Sequence, residues 1–171
     1  MKRTKSTYLA LVVLLSPMAA NADIIELESL IDGEQASAGA GTGSLGTGSA
    51  SMTFDDITKI LSWDISWSGL SGPAVVAHFH GAATPNQNAA VQVDFFTIGG
   101  FSNPSIGSTV IDNAQAADLL AGLWYINIHT AINPGGEIRG QVLVSSVPEP
   151  GTLALLGIGL FGMGLARRKK A

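Results

Sequence analysis

The sequence predicts an all-β protein folded as an antiparallel sandwich, and three observations carry that prediction. Apolar and polar residues alternate with a period of two through most of the middle of the chain, the pattern of half-buried strands. Clusters of Gly, Pro, Asn, Asp and Ser punctuate the alternating runs at short intervals. Only Asn113–Ala121, short and rich in Ala and Leu, reads as a helix.

The clearest strand is Leu61–Ser68. Leu61, Trp63, Ile65 and Trp67 point one way, and Ser62, Asp64, Ser66 and Ser68 the other. Comparable runs occupy Ile24–Ile31, Ser49–Phe54, Val75–His80, Ala89–Ile98, Trp124–Thr130 and Glu137–Val144. Turn signals separate them at Asp32-Gly33, Ser68-Gly69, Ser71-Gly72-Pro73, Gly99-Gly100 and Asn133-Pro134-Gly135-Gly136. About seven short strands at this spacing predict a sandwich or a partly closed barrel. Trp63, Trp67 and Trp124 lie on the apolar sides of their strands and are expected in the core. The Gly/Ser/Thr-rich stretch Ala36–Ser49 reads as a loop or a glycine-kinked edge strand. It lacks the lysine and the strand–glycine–helix context of a phosphate-binding loop.

The chain has 171 residues, enough for one domain once two terminal segments are set aside. At the front, Lys2, Arg3 and Lys5 precede the apolar run Tyr8–Leu15, Pro17 breaks it, and Ala20-Asn21-Ala22 offers small residues at the cleavage positions. Residues 1–22 thus read as a secretory signal cut by signal peptidase. The mature protein is expected to begin at or near Asp23. Mass spectrometry of its N-terminus checks this, and an uncut Met1 start refutes it.

At the back, Val147-Pro148-Glu149-Pro150 precedes an apolar run over residues 152–166 and the basic end Arg167-Arg168-Lys169-Lys170. The prolines cannot donate to a ladder and end the last strand. As a helix the apolar run reaches about 22 Å, against a hydrocarbon core of about 30 Å. Bilayer thinning and snorkelling of the flanking bases close such a gap. The cations after it favour a cytoplasmic C-terminus, so the run is expected to act as a single transmembrane helix in the inner membrane. Segment 147–171 resembles the PEP-CTERM sorting signal. That resemblance implies recognition by an exosortase-type transpeptidase, cleavage near Pro148-Glu149-Pro150, and delivery to the cell surface or extracellular matrix.

Charge narrows the function of the remaining domain, residues 23–146. Seven of the nine basic residues sit in the terminal segments, leaving only Lys59 and Arg139 against twelve acidic residues. A domain at about −10 repels nucleic acid. There is no cysteine, so no disulfide holds it together.

Three groups of residues carry potential chemistry: Ala77-His78-Phe79-His80-Gly81, Tyr125-Ile126-Asn127-Ile128-His129-Thr130 and Pro134-Gly135-Gly136-Glu137-Ile138-Arg139-Gly140-Gln141. On a strand His78 and His80 share a face. Tyr125, Asn127 and His129 do likewise, as do Glu137, Arg139 and Gln141. A hairpin joining the last two strands places His129 near Glu137 or Arg139. Whether the His78 strand lies alongside is open at this level. One reading is a metal site, with His78, His80 and His129 as nitrogen ligands to zinc or copper and Glu137 as an oxygen ligand. The other is a polar network, with Arg139 paired to Glu137, Asp64 or Asp94 and the histidines donating to backbone carbonyls. A serine hydrolase finds no Gly-x-Ser-x-Gly turn, and no triad can be assigned.

Together with Leu30-Ile31-Asp32-Gly33-Glu34 and Gly48-Ser49-Ala50, these groups resemble the CHRD domain over roughly residues 25–144. Relatives usually carry Pro soon after the early Glu, where this chain has Gln35-Ala36-Ser37. The resemblance implies an immunoglobulin-like or similar Greek-key β-sandwich and no agreed activity. His-x-His on such a strand also resembles the copper site of copper/zinc superoxide dismutase, but this chain lacks that family's bridging ligand set and disulfide. The reading adopted is a non-enzymatic structural or adhesive component of the envelope or exopolysaccharide matrix. It needs no cofactor and has an extracellular polysaccharide or matrix protein as possible partner. The alternative is a zinc- or copper-binding or metal-dependent protein using the three histidines.

Overall fold

The computed structural model describes residues 23–145. The signal segment 1–22, Pro148-Glu149-Pro150, the apolar run 152–166 and the bases Arg167 and Arg168 lie outside them. Among the described residues, no helix is long and apolar enough to cross a membrane.

The all-β antiparallel architecture is observed as one curled sheet. Its strands are β1 (Ile24–Asp32), β2 (Thr47–Asp55), β3 (Ile60–Ser68), β4 (Ala74–His80), β5 (Val91–Val93), β6 (Ser105–Val110), β7 (Tyr125–Thr130), β8 (Ile138–Gln141) and β9 (Leu143–Val144). They run in the order β5-β4-β7-β8-β1-β2-β3-β6, with β9 pairing β1. All these pairings are antiparallel.

Curling brings the two halves of this path face to face. The Trp63 ring on β3 meets Phe79 on β4 edge-on at 5.6 Å between centroids, although four strands separate β3 from β4 in the order. Helix α1 (Phe95–Ile98) plugs the space between the halves. Its Phe95 packs 5.0 Å from Phe79 and 6.4 Å from Trp63. Leu27, Met52, Phe54, Leu61, Ile65, Trp124, Ile126 and Ile128 complete the same cluster. Trp63 and Trp124 are core residues, as the alternation predicts. Trp67, at the end of β3, is only half-buried and packs on Phe96.

Besides the run Glu137–Val144, which divides into β8 and β9, two segments depart from the sequence reading. The run Ala89–Ile98 is not one strand: β5 ends at Val93, and the Asp94 carboxylate accepts from Thr97 N–H at 2.9 Å to start α1. Phe95 and Phe96 are both buried, which a strand with one wet face cannot achieve. β6 was not anticipated, because its pattern is inverted. Ser105 is buried while Ile106 and Val110 are exposed. A side chain at Gly107 would meet the Trp63 indole, so β6 lies flat against that ring.

The predicted helix is present as α2 (Asn113–Leu120). Asp112 and Gln115 close a reciprocal capping box at its start. The glycine-rich stretch forms a single 3₁₀ turn at Ser37–Gly39, then an irregular loop that enters β2 at Thr47.

Candidate functional site

The second face of the β4–β7–β8 half is polar, yet it is covered. In β7 every residue is buried on both faces. Ile126 and Ile128 face the core, and Tyr125, Asn127 and His129 face outward beneath two loops. One loop holds residues 33–46 and the other residues 82–90. Gln35 Oε1 accepts from Gln141 N–H at 3.2 Å, and Ala83 O accepts from the Gln141 side chain at 2.9 Å. Ala89 N–H donates to the Tyr125 hydroxyl at 3.1 Å.

Strand order answers the question the sequence left open. β4 lies directly beside β7, with His80 opposite Tyr125 and His78 opposite Asn127. The register puts Val76 opposite His129, so His78 is one step along the same face. His78, His80 and His129 therefore converge. One ligand nitrogen from each ring lies within 4.8 Å of those of the other two. Ring centroids are 5.5 Å apart for His78–His80 and His78–His129, and 6.3 Å for His80–His129. His129 is 8% exposed and the other two are half-buried.

Two of the rings are oriented by the backbone. His80 Nδ1 donates to Ala89 O at 3.0 Å, and His129 Nδ1 donates to Pro134 O at 2.9 Å. A carbonyl only accepts, so both Nδ1 atoms carry a proton, and in the neutral ring Nε2 is then the atom with the free lone pair. These two Nε2 atoms and His78 Nδ1 are buried without a hydrogen-bond partner among the described residues. Burial draws the His78 pKa down, and the neighbouring His129 adds to it. His80 is lowered chiefly by burial, against the opposing bond to Ala89. Both shifts favour the neutral form of His78 and His80.

Tyr125 and Arg139 back the cluster. The Tyr125 ring stacks on His80, 4.9 Å between centroids and 6° from parallel. The Arg139 guanidinium lies 3.5 Å from the Tyr125 ring centre, a cation–π contact strengthened by its burial. Its hydrogen-bond partners are Asn88 Oδ1 at 3.4 Å and Thr84 O at 3.3 Å. The carboxylate pairing expected for Arg139 with Glu137, Asp64 or Asp94 is replaced by this stack. Neither Asn88 nor the loop that carries it has a sequence signal that marks it as part of the site.

Glu137 does not join the histidines. It lies outside β8, after Gly136 at φ +114°, where the strict alternation with Arg139 and Gln141 breaks. A side chain at Gly136 would strike the Asn127 amide, so only glycine makes this turn. The Glu137 carboxylate instead receives Ser44 Oγ at 2.7 Å, Ser71 N–H at 2.6 Å, Ser71 Oγ at 2.5 Å and Thr130 Oγ1 at 2.6 Å. Burial alone raises its pKa. The bonds from Ser71, Thr130 and Ser44 outweigh that and lower it to about 2. Glu137 is therefore a buried anion that ties the distant segments at Ser44 and Ser71 to the β7–β8 turn. The processing residues Ala20, Ala22, Pro148, Glu149, Pro150, Arg167 and Arg168 lie outside the described residues.

Comparison with known proteins matches two family models to the chain. The sequence model of the CHRD domain matches residues 27–142, and that of the PEP-CTERM protein-sorting motif matches residues 146–170. No curated protein and no solved structure matches.

Proposed function

Because this chain belongs to the CHRD domain family and carries a PEP-CTERM sorting motif behind it, we propose that it is a surface-displayed structural or adhesive module of the envelope or exopolysaccharide matrix, without enzymatic activity. The motif marks the protein for export and surface sorting and implies an exosortase-type machinery. The proposal adds what the displayed domain does there.

One observation carries it: the broad outer face of β1–β2–β3–β6 presents hydroxyls and carboxylates, with Leu30, Ile106 and Val110 exposed among them. Antiparallel register places Glu28, Ser51 and Asp64 in one row and Glu26, Thr53, Ser62 and Ser108 in the next. Such rows meet the hydroxyls of an extended glycan at several points at once. The Glu137 bracket supports the same reading. A cysteine-free domain outside the cell needs cross-links other than disulfides, and Glu137 joins Ser44, Ser71 and Thr130 in one buried knot.

Replacing Pro148-Glu149-Pro150 by three alanines is the test. These residues follow the last strand, so the melting temperature should be unchanged. The protein should remain uncleaved in the inner membrane, and the extracellular matrix should lose cohesion. Normal cleavage and release of this variant defeat the sorting part. A matrix of unchanged mechanical strength in the protein's absence defeats the structural part.

A further inference from the structure

We propose that His78, His80 and His129 form a mononuclear transition-metal site for zinc(II) or copper(II), with a fourth position open toward the cleft beside Asn88 and Asn127. This goes beyond a structural role, and it rests on the geometry of the three rings.

The first argument is convergence from separate strands. His78 and His80 come from β4 and His129 from β7, and one nitrogen of each lies within 4.8 Å of the others. Tetrahedral ligands 2.0–2.1 Å from zinc stand about 3.3 Å apart. Small side-chain rotations close the remaining distance.

The second argument is the unpaired nitrogens. A buried polar atom without a partner is costly, and this cluster contains three: His78 Nδ1, His80 Nε2 and His129 Nε2. A purely structural network satisfies its members. Here the bonds to Ala89 O and Pro134 O satisfy one nitrogen of His80 and one of His129, and leave the other aimed inward. That arrangement is the outer-shell pattern of metal-binding histidines, in which the carbonyl fixes the tautomer and frees the second nitrogen as ligand. The His80 ring is further held by its stack on Tyr125.

The third argument is donor chemistry. Three imidazole ligands suit zinc and copper and are a poor set for calcium or magnesium, which take oxygen ligands. Glu137 is committed to its hydroxyl bracket and supplies no fourth ligand. The fourth position falls to water or to an oxygen donor entering the cleft, which has a volume of about 380 Å³ and is lined by Ser37, Asn88, Asn127, His80 and His129.

The test uses the mature protein stripped of metal with a chelator. Zinc(II) and copper(II) are titrated separately, with bound metal counted by mass spectrometry and stability read as melting temperature. The expected result is one equivalent bound per chain and a melting temperature that climbs with free metal. With copper(II), electron paramagnetic resonance should show coupling to three nitrogens. His78→Ala, His80→Ala and His129→Ala should each weaken binding at least about tenfold, the smaller end of the effect of losing an outer-shell partner alone. Among the described residues His78 makes no hydrogen bond through its ring, so His78→Ala should keep the fold by circular dichroism and decides the matter if His129→Ala unfolds. Absence of saturable binding by either metal overturns the site. So does a folded His78→Ala variant that binds as tightly as the parent.

Discussion

Replacing Trp63 by Ala is expected to destabilise the domain by about 3–5 kcal/mol, the range for removing a large aromatic side chain from a packed core. Trp63 is 3% exposed and stands where the curl of the sheet closes. It touches Phe79 and Phe95 edge-on, and Gly107 has no side chain because the indole occupies that space. Truncation therefore opens a cavity between the two halves rather than at a margin, and rigid strands on both sides limit its collapse. Trp63→Phe should cost clearly less. It keeps most of the apolar contact and removes an indole N–H that is buried without a partner. Chemical denaturation followed by far-ultraviolet circular dichroism measures both. A change within about 0.5 kcal/mol for Trp63→Ala, typical of surface positions, means that the halves of the sheet do not meet at this residue.

That the tryptophans were legible and β6 was not has one physical cause. Alternation reports which side of a strand is dry, and β3 has one dry side and one wet side. β6 is an edge strand that packs through Ser105 and Gly107 and turns Ile106 outward. Its contribution is the absence of bulk over Trp63, which no hydrophobicity pattern records. The break at Asp94 was visible in principle. Consecutive buried Phe95 and Phe96 violate period two, and Asp three residues before Thr97 is a cap signal.

The histidine cluster was half legible. His-x-His on one face and Asn-x-His on another follow from strand periodicity, but their meeting depends on β4 pairing with β7, a contact between segments some fifty residues apart in sequence. The loops that cover them were invisible for a different reason. Residues 33–46 and 82–90 have the composition of exposed connections, and their work is done largely by backbone groups such as Ala83 O, Thr84 O and Ala89 O. Backbone carbonyls leave no mark in the identity of the residue. Glu137 misled for a third reason: one glycine at positive φ, Gly136, shifted it out of the alternation.

Glu137→Gln is expected to destabilise the domain by about 2–3 kcal/mol at neutral pH, the scale of hydrogen bonds to a charged, buried acceptor. The carboxylate takes four donors on two oxygens: Ser71 N–H and Ser44 Oγ on one, Ser71 Oγ and Thr130 Oγ1 on the other. Glutamine keeps the shape but replaces one acceptor with a donor. Its carbonyl must face Ser71 N–H, which cannot reverse, so its NH₂ meets the hydroxyls of Ser71 and Thr130. Those must rotate to accept and lose their own charged partner. The pH dependence follows from the same bonds. The folded pKa of about 2 lies below the ordinary 4.5, so the native state holds this group ionised more strongly than the unfolded chain does. Its stabilisation is complete above about pH 4.5 and disappears as pH falls toward 2. Denaturation midpoints of the parent and the variant, measured from pH 7 down to 2, should therefore converge across that window. A gap that stays constant to pH 2 means the loss comes from packing and not from the anion. A gap within about 0.5 kcal/mol at pH 7 means that the hydroxyls, with or without the charge, hold the β7–β8 turn equally well.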